Sequence, residues 1–168
     1  MTFVAAALLT GLVCVLEAAW PTWGFWSGER PELLVALTTC VGLVAGGRWG
    51  AICGFFAAFW RGAMGQEAYG ALFIGYMAVG LINGAVGHQA LTRRVIAAAG
   101  AMVLSVIALR IILAIFHGGG DLSLAAGGAT RASLYTAIVG VPIYLLVVWA
   151  HETSVRAGSG LADRRAMM

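Results

Sequence analysis

Charge is what this chain has least of. Of its 168 residues only 10% are charged, against 61% hydrophobic, and lysine is absent altogether. Soluble domains run near a quarter charged. A water-soluble fold of this size cannot cover its surface with so few ionic groups, and a lipid exterior removes the conflict. The expectation is an all-α membrane protein: one transmembrane domain over residues 1–150, then a short polar tail at 151–168. The ten arginines leave a net charge of +3. They fall in short loops and near the C-terminus, with no basic face and no interleaved aromatics, a pattern that argues against nucleic acid as a partner.

Cysteine and proline are scarce as well. Cys14, Cys40 and Cys53 each lie in an apolar run, with no CxxC pair and no histidine nearby, and read as small buried hydrophobes. Catalytic signals are also missing. No serine sits in a G-x-S-x-G turn, and His88, His117 and His151 fall in three separate loops. Gly118–Gly120 lacks the lysine of a phosphate loop. No carboxylate pair stands at helical spacing within an apolar segment. The expectation is a non-enzymatic protein without metal or cofactor.

What is present is a series of apolar runs. Phe3–Trp20 has no basic stretch before it and no clear cleavage site, so it reads as a retained first helix. Pro21 to Pro31 breaks the run, and Trp20, Trp23 and Trp26 crowd the break as aromatics do at a membrane interface. Leu33–Ala45 and Trp49–Trp60 are short and separated by a tight turn at Gly46–Gly47–Arg48; they span only if the turn is buried or the helices extend further, and a re-entrant pair is the other option. Leu72–Val86 follows. Val95–Phe116 is long enough for a full crossing, about 33 Å at the helical rise. His117–Arg131 reads as the longest loop. Leu134–Trp149 is the last run, and Pro142 is expected to kink it.

Six runs place both termini on one side. Arg48, Arg93, Arg94, Arg156, Arg164 and Arg165 then share that side, against Arg30, Arg61 and Arg131 on the other. The positive-inside bias makes the termini cytoplasmic. Two charges fall within the runs: Glu17 and Arg110, both toward the outer end. Such charges are costly and turn inward or to a partner, and their similar depth permits a Glu17–Arg110 ion pair; the alternative is that each snorkels separately to the interface. Gly42, Gly46, Gly50 and Gly54 recur every fourth residue, as do Gly80 and Gly84, and Ala7 and Gly11. Small residues at this interval let helix backbones approach closely, either within one bundle or against a partner's helix. Arg61 and Glu67 sit in an outer loop, as a solvated pair or as a polar contact to a partner.

From Arg30 to Gly84 the chain resembles MreD, the small membrane subunit of the bacterial rod-shape machinery. The family opens its second helix with an R-P-[DN]-x-hydrophobic run, here Arg30–Pro31–Glu32–Leu33–Leu34. Its basic turn is matched by Arg48, its Gly-Phe pair by Gly54–Phe55, and a further glycine by Gly70. The G-Y-L-x-G-like end of its fourth helix is loosely matched by Gly80–Leu81–Ile82–Asn83–Gly84. Two positions depart: a family glycine falls on Ala58, and the family's acidic residue falls on Gly62, beside Arg61.

The resemblance implies a compact bundle of about six transmembrane helices, similar to the S-components of ECF transporters, in the bacterial inner membrane. It also implies a non-enzymatic scaffold that binds MreC, a RodA-type SEDS glycosyltransferase and a class B penicillin-binding protein to control cell shape and lateral-wall peptidoglycan synthesis. The partner-interface candidates are Gly50, Gly54, Phe55, Arg61, Gly80, Gly84 and Arg110. The competing expectation is a substrate-binding subunit of an energy-coupled transporter. Such a subunit needs convergent polar groups around an outward cavity, for which Glu17, Arg61, Glu67, Arg110 and Asp121 are the few candidates. The nearly all-apolar helices favour the scaffold. An ion channel needs a polar pore-lining stripe, and none is found.

Overall fold

A backbone in hydrocarbon has no water to bond with, so it must satisfy its own N–H and C=O groups, and helices do this within one segment. The computed structural model describes residues 3–20, 30–65, 69–87, 95–116 and 122–166, the last element by backbone alone over 122–126 and 154–166. Six helices account for almost all of them: α1 Phe3–Ala18, α2 Leu33–Ala45, α3 Gly47–Ala63, α4 Tyr69–Val86, α5 Val95–Phe116 and α6 Leu122–Ala166. No strand occurs among the described residues. Three helices are long and apolar enough to cross a membrane: α4, α5 and the Gly127–Thr153 part of α6.

The shortest helix sits at the centre. α2 has 13 residues, about 20 Å of rise, too little for a hydrocarbon core of about 30 Å. Every residue from Pro31 to Leu43 is buried, and α2 touches all five other helices. A helix that is apolar all round belongs inside protein. Enclosed in this way, α2 has no need to match the bilayer's thickness.

The turn between α2 and α3 is tighter than the sequence reading has it. A single residue, Gly46, breaks the helix, with φ at 89°, a left-handed conformation that glycine adopts without a Cβ penalty. Gly47 and Arg48 already belong to α3, which runs on to Ala63 and has 17 residues.

Glycine then sets how closely α3 and α4 approach. A Cβ on Gly50 would lie 2.5 Å from the Gly80 carbonyl oxygen and 2.7 Å from Gly42 Cα. A Cβ on Gly54 would run into the Tyr76 carbonyl, one on Gly80 into the Gly50 backbone, and one on Gly84 into Gly47. Gly50, Gly54, Gly80 and Gly84 are partner-interface candidates whose spacing equally suits packing within the bundle; in the structure all four meet neighbouring backbone of their own chain. The Ala7 and Gly11 pair is also used internally. The Trp60 indole lies over Gly11 and donates from Nε1 to the Ala7 carbonyl at 3.1 Å, joining α1 to α3.

α6 departs most from expectation. The stretch read as a loop up to Arg131 is helical from Leu122, and the tail after Trp149 continues as helix to Ala166. α6 runs through Gly127 and Gly128, and just beyond them Ala129, Ala132 and Ser133 are buried. Pro142 is accommodated within α6. Outward faces remain apolar. Leu8 on α1, Ile96 and Leu104 on α5, and Leu146 and Trp149 on α6 are all more than 60% exposed, a surface suited to lipid rather than water.

Candidate functional site: a charged cavity at one end of the bundle

α1, α3 and α5 finish at the end of the bundle where α2 begins, and this brings four charged side chains together. Glu17 lies in the last turn of α1, Arg61 in the last turn of α3, Glu32 just before α2, and Arg110 six residues before the end of α5. They line one cavity of about 350 Å³ with Arg30, Cys14 and Met64 among their neighbours.

The expected Glu17–Arg110 pairing is replaced by two others. Arg61 Nη1 donates to Glu17 Oε1 at 2.8 Å, and Arg110 Nε donates to Glu32 Oε1 at 2.8 Å. Glu17 and Arg110 do line the same cavity, each with another partner. Charges held this far from water need both a counter-ion and hydrogen bonds.

Glu17 has a second task. The first N–H groups of a helix lack partners within it, and Glu32, at the N-cap of α2, makes no side-chain cap bond. The Leu34 amide instead donates to Glu17 Oε2 at 2.9 Å. A carboxylate from α1 therefore caps α2, where the helix dipole also favours negative charge. Arg61 Nη1 donates further to the Tyr76 hydroxyl at 3.1 Å, on a side chain with no exposure. One Glu–Arg contact thus joins α1, α2, α3 and α4.

Glu32 plays the matching part for α5 and α6. Its backbone N–H donates to Thr136 Oγ1 on α6 at 2.9 Å, while its carboxylate takes Arg110 from α5. Nearby, Trp20 Nε1 donates to the Tyr135 hydroxyl at 2.9 Å. Glu32 is 5% exposed, and its Oε2 is buried without a hydrogen-bond partner.

Of the residues singled out from sequence, the structure gathers Glu17, Arg61 and Arg110 and keeps the four glycines within the α2–α3–α4 packing. Phe55 alone of the partner-face candidates points outward as an apolar group, 44% exposed, with its ring 5.1 Å from that of Phe73. Glu67, Asp121, His88 and His117 lie outside the described residues. Glu32 escaped notice as a buried charge because it stands in the Arg-Pro-Glu entry to α2, where an acid passes for a turn residue. The signal for it was the unbroken apolar helix directly after. Among the described residues no three metal-binding side chains cluster, and the three cysteines are buried and unpaired.

No protein-family model, no curated protein and no solved structure matches this chain. Its functional reading therefore rests on its own residues.

Several positions of the pattern that carries the resemblance have local roles. Arg30–Pro31–Glu32 forms the entry to α2, Arg48 is exposed in the first turn of α3, and Gly54 and Gly80 lie in the packed seam. Gly62, where that pattern has an acid, is buried beneath the Tyr69 ring. Its neighbour Arg61 takes a carboxylate from α1 instead.

Proposed function

We propose that this chain is a non-enzymatic, MreD-like membrane subunit of the bacterial cell-elongation complex. In this reading the six helices form one bundle in the inner membrane, with α2 enclosed by the others, and both termini are cytoplasmic. Its partners are MreC, a RodA-type SEDS glycosyltransferase and a class B penicillin-binding protein. The observation that carries the reading is that the stretch with the MreD-like pattern, Arg30–Gly84, folds as one packed unit of α2, α3 and α4. α1 and α3, with 16 and 17 residues, rise about 25 Å each and cross with their ends among headgroups. A scaffold of this kind needs a rigid core and an apolar outer face. Phe55 and Phe59 on α3, both exposed and one helical turn apart, form the partner face.

One observation favours a second reading. Three arginines and two glutamates converge on a cavity at one end of the bundle, as a small-molecule binding subunit of a transporter requires. A gentle-detergent pull-down of the tagged chain, read by mass spectrometry, separates the two. Recovery of MreC or the penicillin-binding protein is the expected result. Recovery of ATPase subunits and a coupling membrane protein without them would replace the scaffold by the transporter subunit.

A further inference from the structure

α2 stands inside a ring of five helices, and the ring is not equally closed all round. α1 packs on α3, α3 on α4, α4 on α5 and α5 on α6, whereas α6 and α1 scarcely touch. Helices in lipid are held by van der Waals packing and by polar bonds between them. Along the joint between α1 and α6 the packing is nearly missing.

The polar bonds of α1 are as one-sided. Trp60 of α3 donates to the Ala7 carbonyl, Arg61 of α3 to the Glu17 carboxylate, and the Leu34 amide of α2 to the same carboxylate. The buried Thr10 hydroxyl turns back to its own helix, onto the Ala6 carbonyl. Toward α6 the link comes after α1 has ended. There Trp20 Nε1 donates to the Tyr135 hydroxyl at 2.9 Å, and the two rings meet edge-on with centroids 6.4 Å apart.

This link stands beside the charged cavity. Ala18, two residues before Trp20, lines the cavity, as does Glu32. The Glu32 backbone N–H is held by Thr136, the neighbour of Tyr135. Behind the joint lies α2, whose residues are nearly all apolar. Parting α1 from α6 in a bilayer would set that surface against lipid rather than water, so the hydrophobic effect does not oppose it.

We propose that the α1–α6 joint is a side opening of the charged cavity toward the bilayer, held shut by the Trp20–Tyr135 bond, with α1 swinging on its bonded α3 flank. A molecule dissolved in the lipid layer reaches the cavity by this route. The inference goes beyond the scaffold reading and does not rest on it, since neither the opening nor its test involves a protein partner.

Cys14 is a built-in reporter, because it lines the cavity and is itself buried. The test uses the full chain in phosphatidylcholine vesicles, with alkylation of each cysteine by N-ethylmaleimide followed by mass spectrometry. Trp20→Phe keeps an aromatic ring and removes the donor, and Tyr135→Phe removes the acceptor. Each is expected to speed alkylation of Cys14 by about five- to tenfold, the population change that loss of one hydrogen bond allows. Cys53, buried on α3, should keep its rate. A second measurement uses spin labels at exposed positions, in a chain whose three cysteines are replaced by alanine. Labels at Leu12 of α1 and Ile138 of α6 should gain a longer distance in Trp20→Phe, while labels at Leu12 and Phe59 of α3 keep theirs. An unchanged Cys14 rate in both variants, an equal rise at Cys53, or no longer distance between Leu12 and Ile138 would overturn the proposal.

Discussion

The glycine seam between α3 and α4 and the charged end of the bundle solve opposite problems with opposite materials. At the seam, side chains are removed so that backbones meet: Gly50, Gly54, Gly80 and Gly84 each leave no room for a Cβ. At the charged end, side chains with hydrogen-bonding capacity line the space where helices finish: Glu17, Glu32, Arg61 and Arg110 join the ends of different helices. Between apolar helices in lipid there is no hydrophobic force to hold the bundle, so van der Waals packing and polar bonds must do it. The chain uses one at the seam and the other at its end. The seam has no slack, whereas the charged end keeps a cavity.

Substitutions at the seam should therefore cost most. Gly80→Ala sets a methyl against the Gly50 backbone, and backbone cannot step aside as a side-chain tip can. Reversible unfolding in mixed micelles should show a loss of about 3 kcal/mol or more. Gly100→Ala is the matching control, since a Cβ there meets nothing; it should be neutral or stabilising by up to about 1 kcal/mol. Equal effects at the two glycines would break the distinction between seam and surface.

The charged end comes next. Glu17→Gln and Glu32→Gln each remove the negative charge from a part-buried ion pair, and each should cost about 1–3 kcal/mol. Double-mutant cycles should give coupling of about 1–3 kcal/mol for Glu17 with Arg61 and for Glu32 with Arg110. Coupling between Glu17 and Arg110 should be smaller than either. A larger value for that cross pair would mean that depth, rather than helix packing, selects the partner.

Smaller effects sharpen the boundary between the regions. Asn83 Nδ2 donates to Ser105 Oγ at 2.9 Å, tying α4 to α5 below the cavity. Asn83→Ala should destabilise by about 1 kcal/mol, as should Trp60→Phe through loss of the bond to the Ala7 carbonyl. Phe55→Ala should change stability by no more than about 0.5 kcal/mol, as exposed positions do. Its expected effect is on partner recovery in the pull-down, which separates an external contact from an internal one.

Much of this was legible in the sequence where composition changes abruptly. α2 and α5 begin and end at the residues where their apolar runs do, because Pro31–Glu32 and Gly46 bound one run and His117 follows the other. α3 and α6 run longer than their apolar patterns. Gly47–Arg48 and Gly127–Gly128 carry turn chemistry, yet a helix that satisfies its own backbone continues through them when neighbours pack against it. The intramembrane charges Glu17 and Arg110 stood out, and so did their common depth. Their partners did not, because Arg61 and Glu32 come from other elements far along the chain and reach the cavity only once the helices pack. Small-residue spacing marked the tight seam but did not say which surface it faced, since the same interval serves a chain's own helices and another's.

The proposed role as a subunit of the elongation complex is tested most directly in living cells. A photo-crosslinking amino acid at Phe55 interrogates the outer face of α3 in the intact membrane, with the same group at Leu104 on exposed α5 as the comparison. The expected result is an adduct from Phe55 to MreC or to the class B penicillin-binding protein, and none from Leu104. Adducts from Phe55 only to an ATPase-coupled membrane protein, or to lipid alone at both positions, would contradict it.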